Sequence, residues 1–76
     1  ENQFRFSARL EIDYINQEYT LDLPESDGYE TLAGFIIAHH QSIPDVDEVI
    51  RVDKYEFTVT KVESTRIEEV ILSILD

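Results

Sequence analysis

The apolar residues of this chain change period partway along, and that change restricts the folds open to it. Leu32, Phe35, Ile36 and His39 fall at i, i+3, i+4 and i+7, one stripe of a helix. From residue 50 the repeat shortens to two, with Ile50 and Val52, then Tyr55, Phe57 and Val59, then Val70, Leu72 and Ile74. Alternation of this kind marks strands with one buried face. Earlier, Phe4, Phe6 and Ala8 alternate with Arg5 and Ser7, which predicts a first short strand. A first helix is expected over Arg9 to Tyr19, because Ile12, Ile15 and Tyr19 share a stripe while Asp13, Gln17 and Glu18 face water.

Turn chemistry sets the remaining boundaries. Pro24 to Gly28 is a polar turn, and Pro44 ends the second helix, expected over Thr31 to Gln41, by biasing Ile43 away from helical angles. Gly34 inside that helix costs ~1 kcal/mol against alanine, so a close backbone neighbour is expected there, with the sheet as the candidate. Asp53-Lys54 and Ser64-Thr65 separate alternating runs and read as hairpin turns. Ile67 has the wrong parity for the last strand, which predicts a bulge or an irregular start near Glu68. The reading is an α+β fold in the order β-α-α-β-β-β, one largely antiparallel sheet with two helices packed on one face. All 76 residues read as a single domain cut from a longer protein.

Charge bounds the function. Seventeen acidic residues against six basic ones give a formal net charge of −11. A nucleic-acid partner is not expected, because phosphate binding needs clustered Lys and Arg. No apolar run approaches the roughly 20 residues that span a bilayer, so no membrane insertion by this segment is expected. With no cysteine, thiolate zinc sites and cysteine nucleophiles are excluded. Two glycines, at 28 and 34, make no phosphate loop, and Ser42 near His40 lacks a nucleophile elbow. Catalysis is not expected.

Several residue groups invite a binding role. Asp45, Asp47 and Glu48 place three carboxylates within four residues, a pattern suited to Mg2+ or Ca2+, although Val49 occupies what would be the third ligand position of a calcium loop. Asp22, Glu25 and Asp27 around Pro24 offer a second oxygen-rich loop. Adjacent helical residues point about 100° apart, so His39 and His40 do not chelate one metal together; His39 is expected partly buried and hydrogen-bonded. Val49, Ile71 and Leu75 have the opposite parity to the core set, which predicts an apolar element on the outer sheet face and a docking surface there.

With these elements placed, the chain resembles the CorC/HlyC transporter-associated domain. The residues that carry the resemblance are Arg9-Leu10 with Ile12, Ile15 and Asn16, Leu21 to Pro24, Tyr29 to Gly34, Ile43-Pro44, Val52 to Val59, and Arg66-Ile67. Lys54 and Asp45-Val46-Asp47 depart from it, standing where the family has turn glycines. The resemblance implies an accessory, non-catalytic domain of a bacterial membrane protein with paired CBS domains, associated with magnesium and cobalt efflux or called haemolysin-like. It implies a place on the cytoplasmic face of the inner membrane and no catalytic residues. Partners would be the neighbouring CBS domains, the membrane domain, or a second copy in a homodimer. The family fold is similar to part of a flavin-binding domain, which gives no warrant for flavin here.

Overall fold

The structure is a computed structural model that describes residues 2–75. Its elements run β1 (Gln3–Ser7), α1 (Ile12–Tyr19), α2 (Leu32–His40), β2 (Val49–Val52), β3 (Tyr55–Glu63) and β4 (Arg66–Ile74). The strands form one antiparallel sheet in the order β1-β4-β3-β2. The first strand therefore lies beside the last, and the two shortest strands are the edges. The expected element order and architecture hold.

Alternation along the strands drives one face of the sheet into the core. Phe6, Ile50, Tyr55, Phe57, Val59, Ile67, Val70 and Leu72 are buried together with Ile12 and Ile15 of α1 and Leu32, Phe35 and Ile36 of α2. The helices meet the sheet through aromatic edges. Phe35 lies edge-on to Phe57 at 5.4 Å, and Tyr19 packs edge-on against Phe6 at 4.9 Å. Tyr19 keeps contact with the core in this way although much of its side chain is in water.

The first helix starts three residues later than its stripe implied, and the reason is hydrogen bonding. Leu10 N–H closes a turn on Ser7 C=O at 3.2 Å, while the carbonyls of Ala8 and Leu10 accept from Ala33 and Leu32 N–H at 2.9 and 2.8 Å. These carbonyls satisfy the first orphan donors of α2, and the Thr31 hydroxyl accepts the next from Gly34 at 3.2 Å. The N-terminus of α2 is thus sewn to the strand-to-helix turn and offers no free N–H row to an anion.

Gly34 is tight for a different reason from the one expected. A Cβ there would sit 3.2 Å from Tyr29 Cβ and 3.5 Å from Thr31 Oγ1. The close neighbour is the preceding loop, not the sheet, because Tyr29 folds back to pack its ring edge-on to Phe35 at 5.3 Å.

The bulge predicted near Glu68 is present and has a counterpart. Val59 pairs with Val70, Lys61 with Glu69, and Val62 with Ile67, so Thr60 on β3 and Glu68 on β4 are each unmatched. The two insertions cancel, which returns Val62 and Ile67 to the core side together. Thr60 Oγ1 donates toward Glu69, 3.0 Å from its carbonyl and 2.9 Å from its carboxylate. Glu68 C=O, turned out of the ladder, accepts from Ala8 N–H at 3.0 Å.

Both hairpins turn on two residues of which the first takes positive φ, Asp53 at 55° and Ser64 at 57°. Lys54 therefore occupies the hairpin turn without needing a glycine. Asp47, with φ 74°, holds the left-handed position in the loop after Pro44, and aspartate is among the side chains that tolerate it.

Candidate functional site

The acidic loop does not assemble a metal cage. Glu48 uses one carboxylate oxygen to accept from Asp45 N–H at 2.8 Å and the other to meet His40 Nε2 at 2.9 Å. Asp47 N–H donates to Val59 C=O at 2.7 Å, and Glu48 C=O accepts from Val59 N–H at 3.0 Å. These bonds splice the loop onto β3, and Asp45 and Asp47 are exposed. Among the described residues, no group of three His, Asp or Glu side chains stands where it could hold a metal ion. The spacing of Asp45, Asp47 and Glu48 in sequence thus does not become convergence in space, because Glu48 is drawn to the end of α2.

The second acidic loop is also tied up by structure. Asn16 Nδ2 donates to Leu23 C=O at 2.9 Å and to Glu25 at 3.0 Å, while its Oδ1 accepts from Leu23 N–H at 2.8 Å. Asp22 N–H donates to the Tyr55 hydroxyl at 2.9 Å. Next to this loop is a cleft of about 210 Å³ lined by Glu11, Asp13, Glu25, Ser26, Tyr29 and Glu30 among others. Burial, and then the Glu25 charge, raise the Tyr29 phenol above its ordinary value. Its hydroxyl donates to Pro24 C=O at 2.8 Å, so it serves as a strut for the loop.

The histidines divide their work as adjacent helical residues must. His39 Nδ1 lies 2.9 Å from Phe35 C=O and its ring is 4.5 Å from that of Phe35. It is nonetheless exposed, where the stripe implied partial burial. His40, the more enclosed of the two, faces Glu48.

The outer face of the sheet carries no helix. Partners across an antiparallel ladder point to the same face, so the register assigns each side chain. Phe4 pairs with Leu72 and Phe6 with Val70 on the core side; Arg5 pairs with Ile71 on the outer side. Ile71 in turn pairs with Thr58, and Thr58 with Val49. Arg5, Ile71, Thr58 and Val49 thus form one row across all four strands, with Val49 51% exposed at the edge. Leu75 follows the parity of Ile71 just past β4, and its N–H donates to Lys54 C=O at 2.7 Å. Val49 and Ile71 do share the outer side, and Leu75 lies just past the last registered pair.

The same register sorts the charges, a feature hidden until the strand order is known. Four of the six basic residues, Arg5, Arg51, Lys61 and Arg66, lie on the outer face. Among the described residues, three acids, Glu56, Glu63 and Glu69, accompany them there. Bulged Glu68 instead directs its carboxylate toward Arg9, at 3.9 Å. The paired positions of the outer face therefore sum to +1 in a chain of −11. Arg5 bonds Glu69 at 2.9 Å and Arg51 bonds Glu56 at 3.3 Å, so most of this charge is compensated within the face.

A bare, mixed, nearly neutral sheet face on a small acidic α+β unit is what the comparisons with known proteins now set in context. The family model described as "Transporter associated domain" (CorC_HlyC) matches residues 1–76. The chain belongs to the transporter-associated domain family. It is 27% identical over 77 residues to a polyamine export protein of Salmonella typhimurium, with all of this chain covered and 17% of that protein. The domain thus spans about a sixth of the length of the curated relatives it matches. A haemolysin domain from Enterococcus faecalis V583 is 30% identical with a TM-score of 0.85, covering 99% of this chain and 90% of that one. That solved chain is barely longer than this domain. A transporter-associated domain from a Xylella fastidiosa haemolysin, in complex with Mg++ and Mn++, has the same fold, with 23% identity, a TM-score of 0.83, and 97% and 89% of the two chains covered. The family is a transporter-associated one and not a known catalytic one. Among the described residues no helix is long and apolar enough to cross a membrane.

Proposed function

We propose that this transporter-associated domain is a non-catalytic regulatory module of a membrane cation exporter, acting by docking through its outer sheet face. The observation that carries the reading is the segregation of charge, with a near-neutral face bearing Val49, Ile71 and Leu75 on a molecule that is otherwise strongly acidic. A surface meant only for solubility has no reason to gather four of six cations beside exposed Val49 and half-buried Ile71 and Leu75. Docking onto neighbouring CBS domains, or onto a second copy, on the cytoplasmic side would couple the domain to the transport cycle. The polyamine cargo of the Salmonella relative supplies the assay. Val49→Asp in the parent protein is expected to change polyamine export several-fold. Tyr14→Asp, an equal charge change at an exposed aromatic on the helical side, is expected to leave it unchanged. Equal export by both variants contradicts the reading.

A second reading has one supporting observation, the Mg++ and Mn++ complex of the Xylella relative. In this domain a divalent ion would have to recruit Asp45, Asp47 and Glu48, with Glu48 leaving His40. Such a site is weak, because closing it breaks existing bonds. It predicts a saturable, millimolar thermal shift with Mg2+ that Asp47→Ala abolishes; a shift unchanged by that substitution removes the loop as the site.

A further inference from the structure

We infer that the outer sheet face is the contact surface of a weak homodimer, in which two copies of this domain meet face to face. The inference rests on the docking reading and names its partner. Three observations lead to a second copy. The first is charge. Two chains of −11 repel at long range, while the paired positions of this face sum to +1. The outer face is a broad surface on which two copies can approach with its own acids already paired to arginines. The second is the internal pairing of its ions. Arg5 with Glu69 and Arg51 with Glu56 leave no basic excess to attract an anionic partner, but they give each copy both signs to offer an identical face. The apolar and hydroxyl row of Ile71, Thr58 and Val49 lies between these two pairs and would be shielded by them.

The third observation is size. At a rise of about 3.3 Å per residue and a strand spacing of about 4.8 Å, the four strands present about 400–500 Å² per copy. Two copies then bury about 800–1,000 Å², below the ~1,200–2,000 Å² of stable complexes, which places the contact in the weak, transient class. Weakness suits a module held in a larger protein, because tethering supplies a millimolar effective concentration without new contacts. A permanent dimer would fix one state; a weak one responds to changes elsewhere in the parent.

The salt dependence distinguishes this pairing from the other ways the face could be used. Contact between near-neutral faces is opposed by the distant acidic charge, so added salt strengthens it. A contact that set the basic residues of one copy on the acidic side of the next, or on an anionic partner, weakens with salt instead.

The test is sedimentation of the isolated domain from micromolar to millimolar concentration, at about 20 and 300 mM salt, the range over which the screening length falls most. The expected result is a rise from the 8.9 kDa monomer toward twice that mass, reached at several-fold lower concentration in the higher salt. Val49→Asp and Ile71→Glu are expected to remain monomeric, with far-UV circular dichroism confirming their fold. Tyr14→Asp is expected to associate like the parent sequence. Should Ile71→Glu unfold, Val49→Asp decides alone, since the edge position is already half in water. A monomer throughout overturns the inference, as does assembly beyond two copies that dissolves in salt. Either failure leaves the docking reading separately testable, because protection of the same face in the full-length parent protein would then assign it to a neighbouring domain.

Discussion

Phe57→Ala is expected to destabilise the domain by about 3–5 kcal/mol. Phe57 is fully buried at the middle of β3, pairs across the ladder with Leu72 and Ile50, and carries the edge-on contact with Phe35 that seats α2 on the sheet. Removing its ring leaves a cavity between two layers whose other members are held by the sheet register and by the sewn N-terminus of α2. Collapse into the space is therefore limited, and the full cavity cost is felt. A domain of this length has a total stability of about 4–11 kcal/mol, so the substitution removes much of it. Urea unfolding followed by circular dichroism measures the loss, with Thr58→Ala as the companion. Thr58 is the next residue but faces outward, and its change is expected to cost less than about 1 kcal/mol. Equal effects at the two positions would contradict the assignment of faces.

The second large effect is expected at Asn16. Its side-chain amide takes the place of a strand edge for Leu23, accepting from the N–H and donating to the C=O of a residue that is 2% exposed. Asn16→Ala leaves both backbone groups without partners in a nearly dry position, at a cost of about 2–4 kcal/mol. Asn16→Asp separates the two bonds. It keeps the acceptor for Leu23 N–H but sets a carboxylate against the Leu23 carbonyl and against Glu25, which the amide now approaches at 3.0 Å. Both variants are expected to lower the urea midpoint, and a change within about 0.5 kcal/mol for either would show that water replaces the amide without loss.

Asn16 also shows where sequence reasoning runs out. The stripe Ile12, Ile15 and Tyr19 placed α1, but a polar residue between stripe positions carries no sign that it will pair with a backbone seven residues on. That the backbone of Leu23 finds a side chain instead of a strand as its partner is not legible in the sequence. Positions governed by local chemistry were readable. The two-residue hairpins at Asp53-Lys54 and Ser64-Thr65 came from turn propensity, and the Glu68 bulge came from the parity of Ile67. Its compensating partner at Thr60 was not readable, since only the strand pairing reveals it.

The candidate site divides along the same line. Val49, Ile71 and Leu75 were assigned to the outer side because parity alone fixes a face. The concentration of Arg5, Lys61 and Arg66 beside them needed the strand order β1-β4-β3-β2 and the bulge that sets the face of Lys61. Asp45, Asp47 and Glu48 show what spacing alone leaves open. Closeness in sequence looked like a ligand set, but a loop with one left-handed residue and two backbone bonds to Val59 turns its carboxylates apart.

The absence of cysteine makes the central claim directly measurable, because a single introduced thiol reports one place in the domain. Thr58→Cys sits at the middle of the outer face, and Glu18→Cys is exposed on the helical side. Thiol labelling rates are compared between the isolated domain, dilute enough to be monomeric, and the same domain within the full-length parent protein whose other cysteines have been replaced. The docking account predicts that Thr58→Cys labels at least tenfold more slowly in the parent while Glu18→Cys labels at the same rate in both. Equal rates for Thr58→Cys in the two settings would contradict it.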